Sequence, residues 1–309
     1  MKNIYLITGI AGFIGSHIAE ELLKDLNNIV IGIDNFYSGY SKNLDVIDSK
    51  NLVFYEGDIT NDAILNKIFS KHKINYIFHE AAIASVQKSI DDPVLSNQVN
   101  LRGTLKLLNF ARLHQVKRLV FASSAALYGD EPSLPKNEKS IIQPISPYGY
   151  EKLMSEHYMD LYFHLYGLET ISLRYFNVYG PRQDPSSQYS GVISIFNDKF
   201  SRNEPPLIFG DGNNYRDFIH VEDIVKVNLS AMLHPYDSKN NVYCCGTGIK
   251  SSITDIFNLF SKKYNTNFVP TYARAREGDI IGSVSDNSQM LKLIGNNPLV
   301  NFKDGILSL

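Results

Sequence analysis

Residues 6–15 read LITGIAGFIG, a run that closes a β-branched apolar strand with a glycine-punctuated turn and leads directly into an amphipathic segment. Glycines at positions 9, 12 and 15 do three different things in such a context. One allows a tight turn, one lets backbone approach a pyrophosphate, and one lets the following helix pack closely on the strand. The helix N-terminus adds unpaired N–H groups and positive dipole character, which suits a phosphate charge. The spacing is G-x-x-G-x-x-G, and a glycine motif alone is weak evidence, so the strand before it and the helix after it carry the reading. Asp34 follows the next strand, 19 positions after Gly15. An acid there binds adenosine ribose hydroxyls and repels a 2′-phosphate, which favours NAD over NADP.

Outward from this turn, apolar runs of strand length alternate with longer amphipathic stretches. Strands are expected at residues 4–8, 29–33, 52–56, 76–79, 119–123 and 170–174, and helices at 13–26, 62–72 and 94–114. That alternation predicts an α/β fold, a doubly wound, Rossmann-like parallel sheet with helices on both faces. After FNVYGPRQDP (176–185) the elements shorten and Gly, Pro and Asn become more frequent. Residues 1–180 therefore read as the dinucleotide-binding domain. Residues 181–309 read mainly as a smaller substrate-binding lobe, with room for some segments to return to the first domain. NFKDGILSL at 301–309 starts an amphipathic helix that stops early, consistent with a short or truncated C-terminus.

A chain of 309 residues can bury a sizeable core. Its 20% charged residues and formal net charge of −2 argue against a general nucleic-acid or membrane-surface binder and point to a small-molecule partner. The two cysteines, Cys244 and Cys245, are adjacent, which suits neither a structural disulfide nor a metal cluster. They are expected as buried strand residues in a reducing compartment. No long apolar run suggests a membrane span, and MKNIYLITG enters a strand without a signal-peptide pattern, so the expected location is the cytoplasm.

SPYGYEK at 146–152 carries the chemistry. Ser146 as cap and Pro147 in the first turn start a helix, and Tyr148 and Lys152 at i and i+4 share one face. Among 19 tyrosines such a pair also arises by chance as a solvated helix face. Placed in a cleft, however, the ammonium should draw the phenol down from about 10 and make it a base.

TGIAGFIG, DNF (34–36), GDI (57–59), HEAAIASV (79–86), FASSAALYGD (121–130), SPYGYEK, LRYFNVYGPRQDP (173–185), RDFIHVED (216–223) and REGDI (276–280) together decide the kinship. From residue 3 to about residue 300 the chain resembles the extended short-chain dehydrogenase/reductases, specifically the nucleotide-sugar 4-epimerases. The resemblance implies bound NAD, a UDP-sugar substrate and a homodimer paired through helices at 103–114 and 150–167. It makes Tyr148 and Lys152 the catalytic pair and Ser124 the hydroxyl that orients the reacting sugar oxygen. For the cofactor it implies Gly9, Gly12, Phe13, Ile14, Gly15, Asp34, Asn35, Asp58, Ile59, Ala81, Ala82, Asn100 and Tyr175, with Tyr148 and Lys152. For the sugar nucleotide it implies Asn177, Arg216, Arg276 and Asp279, and more weakly Ser85, Tyr189 and Val192. Arginine's planar fork suits diphosphate oxygens, although salt bridges to Asp217 and Glu277 are the plain alternative for Arg216 and Arg276.

The implied chemistry has Tyr148 take the 4-hydroxyl proton while NAD accepts hydride from C4; the 4-keto sugar turns over and hydride returns to the other face. Bringing a phenol from about 10 toward 7 takes about 4 kcal/mol, at 1.36 per unit, which Lys152 and the cationic nicotinamide would supply together. Ser283, in EGDIIGSVSD (277–286), matches the position beside the hexose C2 substituent, where a small residue leaves room for an N-acetyl group; a slip of one residue puts the smaller Gly282 there. The expected substrates are UDP-N-acetylglucosamine and UDP-N-acetylgalactosamine, for surface polysaccharide precursors or sugar-nucleotide metabolism. UDP-glucose/UDP-galactose and UDP-glucuronate are alternatives. Ala125 and Ala126 stand where related 4,6-dehydratases carry acids, which disfavours dehydration. Uronate decarboxylation remains a rival, and a non-enzymatic dinucleotide sensor would be expected to lack the Tyr–Lys pair present here.

Overall fold

A computed structural model describes residues 2–185, 191–274, 282–295 and 297–309. Its centre is a seven-stranded sheet in which every pairing is parallel. Six strands come from the first half: β1 (Asn3–Thr8), β2 (Asn28–Asp34), β3 (Leu52–Glu56), β4 (Tyr76–His79), β5 (Arg118–Ser124) and β6 (Glu169–Tyr175). The seventh, Val242–Cys245, pairs with β6 and contains both cysteines, free and buried. The order across the sheet is Val242–Cys245, β6, β5, β4, β1, β2, β3. The direction of winding reverses between β1 and β4, and the crevice that opens at such a reversal is where doubly wound sheets bind ligands.

Each face of the sheet is covered by helices because the strands are apolar on both sides. On one face, helix α1 (Phe13–Leu22) packs with Val221–Leu233 and Ser288–Ile294 around Ile7, Ile18, Ile224 and Met290. On the other, Asp62–Lys71, Thr104–Leu113 and Pro147–Tyr166 bury Leu65, Leu107 and Met159 against Leu6, Ile77 and Phe121. Each such fully buried side chain contributes about 1.5–3 kcal/mol.

Two helix expectations need correction. The first helix stops at Leu22 rather than at residue 26, with the chain turning through Leu23–Asn27 into β2. The run expected as one helix over 94–114 is Pro93–Asn97, a wider π-helical turn at Gln98–Gly103, and Thr104–Leu113. A π turn accommodates an extra residue per turn and is often found at functional sites. Here it holds the buried Asn100. The pattern of apolar residues is blind to it, because the helical periodicity continues on both sides.

A separate aromatic core lies in the second half. Phe196 and Phe200 on Val192–Ser201 pack against Phe257 and Phe260 on Ile253–Lys263, with ring centroids of Phe200 and Phe257 5.3 Å apart. Truncating Phe257 to Ala would cost about 3–5 kcal/mol. Tyr179 and Phe218 of the short strand pair Asn177–Tyr179 with Phe218–His220 belong to this core, and a second short pair joins Tyr215–Arg216 to Ser251–Ser252.

Candidate active site

The nucleotide end is built largely from backbone. Gly9 has φ +71°, and a Cβ there would lie 2.7 Å from the Ala81 nitrogen; a Cβ on Gly15 would lie 2.3 Å from the Gly9 carbonyl oxygen. Both contacts are too short for any side chain, so β1, the turn, α1 and the end of β4 close on one another only with glycine there. Gly12 caps α1 without a side-chain bond, leaving the N–H groups of the first turn, at Phe13, Ile14 and Gly15, facing outward from the turn. Asp34 accepts the backbone N–H of Ala11 at 2.9 Å and of Phe36 at 2.8 Å. Burial pushes its carboxyl up, and these backbone donors oppose the shift. Asn35 donates to Asp58 at 2.8 Å.

Gly9, Gly12, Asp34, Asn35 and Asp58 line one open cleft together with Gly39, Gly57, Ile59, Ala81 and Ala82. A glycine cradle a Cβ would fill, a helix N-terminus and a carboxylate with free lone pairs fit a dinucleotide. Gly9, Gly12, the first turn of α1, Asp34, Asn35, Asp58 and Ile59 would hold it.

The Tyr148–Lys152 pair lies on the helix Pro147–Tyr166. Ser146 accepts the Gly149 N–H at 3.2 Å and Pro147 occupies the first turn, as the sequence implies. Tyr148 is 8% exposed and Tyr150 51%, so the two tyrosines face apart. Ser124, at the end of β5, hydrogen-bonds the Tyr148 phenol and also accepts the Ala126 N–H at 3.1 Å. The Lys152 ammonium donates to the Ala122 carbonyl at 2.6 Å and lies 4.6 Å from the Phe121 ring centroid and 5.7 Å from that of Tyr148.

The expected direction of the phenol shift is reversed in the protein itself. Burial pushes Tyr148 up to about 12; the Ser124 hydrogen bond lowers it, and the charges of Glu151 and Glu80 raise it. Burial likewise pushes Lys152 down to about 8, against the pull of Glu80, Glu151 and Glu156. Both groups are withdrawn from water, and desolvation, the largest cause in each case, disfavours each charged form.

Residues that the sequence reading did not assign to the site hold this arrangement. Ser89 accepts the Tyr148 N–H at 3.1 Å. Glu151 accepts from Ser96 and from Asn100, each at 2.7 Å. Asn100 also clasps the backbone of Ile83, so its side chain ties the loop after β4 to the helix rather than reaching into the cleft. Glu80 lines the cleft beside Ala81 and accepts the Tyr175 hydroxyl at 3.2 Å, while Asn228 donates to that hydroxyl at 2.7 Å. An acid at the C-terminal end of a strand at the winding reversal was the available signal. Asp217 is fully buried and accepts from Thr247, Gly248 and Ser285. Those bonds commit its carboxylate to loops of the second half, where the sequence suggested a bridge to Arg216.

The sugar-side expectations are scattered around this point. Asn177 donates to the Asp217 carbonyl at 3.0 Å, and Arg216, next to it, donates to the Tyr215 carbonyl at 2.9 Å. Ser85 caps the helix Val86–Asp91 through the Lys88 N–H, and Val192 opens Val192–Ser201 against the aromatic core. Ser283 is half-buried and its N–H bonds the Tyr215 carbonyl at 3.3 Å. Its neighbour Gly282 packs so tightly on the Tyr215 ring that a Cβ would meet it at 2.1 Å. Tyr189, Arg276 and Asp279 lie outside the described residues. Among the described residues no cluster suited to a metal ion occurs, and no helix is long and apolar enough to cross a membrane.

Comparison with known proteins agrees with this geometry. A putative UDP-glucose 4-epimerase of Methanocaldococcus jannaschii is 38% identical over 302 residues, covering 97% of this chain and 95% of its own. The structure of the Thermotoga maritima UDP-glucose 4-epimerase with UDP-glucose superposes with a TM-score of 0.93 at 37% identity, covering 98% of this chain and 96% of that one. A UDP-N-acetylglucosamine 4-epimerase from Methanobrevibacter ruminantium, in complex with UDP-N-acetylmuramic acid, gives 0.91 at 36% identity, covering 99% and 97%. The profile of the NAD dependent epimerase/dehydratase family matches residues 5–246. With the glycine turn, Asp34 and the Ser124–Tyr148–Lys152 group in place, the chain belongs to the NAD-dependent epimerase/dehydratase family, and NAD is its cofactor.

Proposed function

We propose that the chain is a UDP-hexose 4-epimerase that interconverts UDP-N-acetylglucosamine and UDP-N-acetylgalactosamine through a 4-keto sugar. The observation that carries this reading is the group of half-buried Ser124 with buried Tyr148 and Lys152 beside the dinucleotide cleft, with Ala125 and Ala126 next to it. NAD, when bound, would supply a reversible hydride acceptor for the sugar's C4 and a cationic ring. Tyr148 takes the 4-hydroxyl proton and returns it after the sugar has presented its other face, and Ser124 holds that hydroxyl in line. Lys152, anchored on the Ala122 carbonyl with its ammonium 5.7 Å from the Tyr148 ring centroid, is proposed to supply the protein's own cation toward lowering the phenol. Ala125 and Ala126 offer no proton to a leaving hydroxyl, which speaks against dehydration at this position.

Asn177 and Arg216 are proposed to contact the sugar nucleotide, and Ser283 to border its C2 substituent. A small residue there leaves space for an acetamido group. One observation favours a second reading: the Tyr215 ring fills the corner against Gly282, which narrows the same wall and suits UDP-glucose and UDP-galactose. The exposed apolar side chains Tyr150, Met154, Leu161 and Leu165 of the catalytic helix, with Leu113 on Thr104–Leu113, support the proposed homodimer. Surface polysaccharide precursor supply and a cytoplasmic location complete the proposal. Incubating purified protein with each UDP-hexose and identifying products by NMR tests it. Conversion of the acetylated pair is expected; conversion of the unacetylated pair alone would replace the substrate assignment, and no conversion of either would reject the epimerase reading.

A further inference from the structure

Glu80 is an acid in a place where the reaction itself asks for none. It lines the dinucleotide cleft with Gly9, Gly12, Asp34 and Ala81, and Tyr148 and Lys152 feel its charge. It is also held. The Tyr175 hydroxyl donates to Glu80 Oε1 at 3.2 Å and accepts from Asn228 Nδ2 at 2.7 Å, and Asn228 in turn donates to the Ile224 carbonyl at 2.8 Å. The chain of contacts thus runs from a helix on the far face of the sheet, through the end of β6, to a carboxylate at the end of β4.

We propose that Glu80 is a residue whose charge biases the bound nicotinamide cofactor toward its oxidised form. The oxidised ring is a cation and the ring that has taken hydride is neutral, so a nearby anion stabilises only the former. An epimerase must give hydride back within the same turnover. A bias toward the oxidised form favours that return and disfavours loss of the keto sugar from a protein left with reduced cofactor.

The groups facing Glu80 leave it as the anion at this spot. Lys152 and Tyr148 act on it from the catalytic helix, Tyr175 from β6 and Cys245 from the edge strand. Burial keeps the two phenols and the thiol protonated, whereas Glu80, pushed up to about 7 by burial, is ionised in mildly alkaline solution. Glu151 adds a second negative charge near Tyr148 and Lys152, but its carboxylate is tied to Ser96 and Asn100, and it does not line the cleft.

The inference rests on the reaction centre being at Tyr148 and Lys152, and its test does not require turnover. The midpoint potential of the cofactor bound to the full chain is measured in mildly alkaline buffer, by equilibration with a redox dye, for wild type, Glu80→Gln and Glu80→Asp. Glu80→Gln keeps the shape and removes the charge. The expected result is a relative gain of roughly tenfold for the reduced form, a shift to more positive potential of about 30 mV for a two-electron couple, with Glu80→Asp recovering part of it. A purely structural role would change thermal stability and leave the potential alone. An unchanged or more negative potential in a folded Glu80→Gln protein overturns the proposal. The same measurement on Tyr148→Phe gives the wild-type potential if the bias is Glu80's own; failure of the epimerase reading shows in the product assay and failure of this inference in the potential, so the two are seen separately.

Discussion

At the nucleotide end, Gly9, Gly12, Gly15 and Asp34 fall within one β–α–β unit, and their backbone makes most of the site. At the proposed sugar end, Asn177, Asp217, Thr247 and Ser285 come from four separate stretches, and one buried carboxylate, Asp217, ties Thr247 and Ser285 to its own. The first end is rigid because no side chain other than hydrogen fits it. The second is defined by hydrogen bonds between loops, which sequence variation can rearrange without disturbing the sheet. A fold that keeps one cofactor and changes its sugar needs that division, and Tyr148 and Lys152 stand where the two ends meet.

The largest effect should come from the meeting point. Tyr148→Phe should lower turnover by about 10²- to 10⁴-fold with folding and cofactor binding kept, whereas Tyr150→Phe, on the exposed face, should retain most activity. The reverse ranking in steady-state rates would move the chemistry elsewhere.

Lys152 allows a stability test of the same centre. Its folded value of about 8 lies below the ordinary 10.5, so the folded state disfavours the ammonium. That penalty is full below about pH 8 and is relieved as pH rises from there toward 10.5. Lys152→Met should therefore be inactive yet more stable near neutrality, by as much as about 3 kcal/mol at 1.36 per unit, less what is lost by leaving the Ala122 carbonyl unpaired. Denaturant titrations across that pH range check it; equal stability slopes in both proteins would show that the buried ammonium costs nothing.

Two substitutions at the sugar end probe its independence. Ser283→Tyr should overpack the wall by about 1–3 kcal/mol, roughly 5- to 150-fold in kcat/KM against the acetylated substrate, and an unchanged preference would remove Ser283 as the gate. Asp217→Asn turns N–H groups of Thr247, Gly248 and Ser285 toward an amide, costing about 1–2 kcal/mol of local stability. KM for the sugar nucleotide should rise while NAD affinity, by calorimetry, stays put. A parallel loss of NAD binding would mean that the two ends are one cooperative unit.

The same division explains what could be read from the residues. The six strands of the first half, the glycine turn, Asp34 and the Ser146–Pro147 helix start follow from local periodicity and capping, and the structure places them within a residue or so of expectation. The π turn at Gln98–Gly103 escaped because it alters hydrogen bonding without altering the apolar pattern. Glu80, Glu151 and Asp217 escaped because their partners are 51 to 95 residues away for the first two and as many as 68 for the third, and nothing local marks an acid as buried. The direction of the Tyr148 shift was misjudged for a related reason: helical spacing reveals the neighbouring cation, but only the packed fold reveals how much water both groups lose.

The central claim, that one buried tyrosine serves a reversible hydride exchange at the sugar's C4, is tested most directly by isotope retention. UDP-N-acetylglucosamine carrying deuterium at C4 is converted in ordinary water without added NAD, and the product is examined by NMR and mass spectrometry. The account predicts UDP-N-acetylgalactosamine with the deuterium still at C4 and no accumulation of reduced cofactor. Loss of the label to solvent, or reduced nicotinamide appearing in step with product, would contradict it.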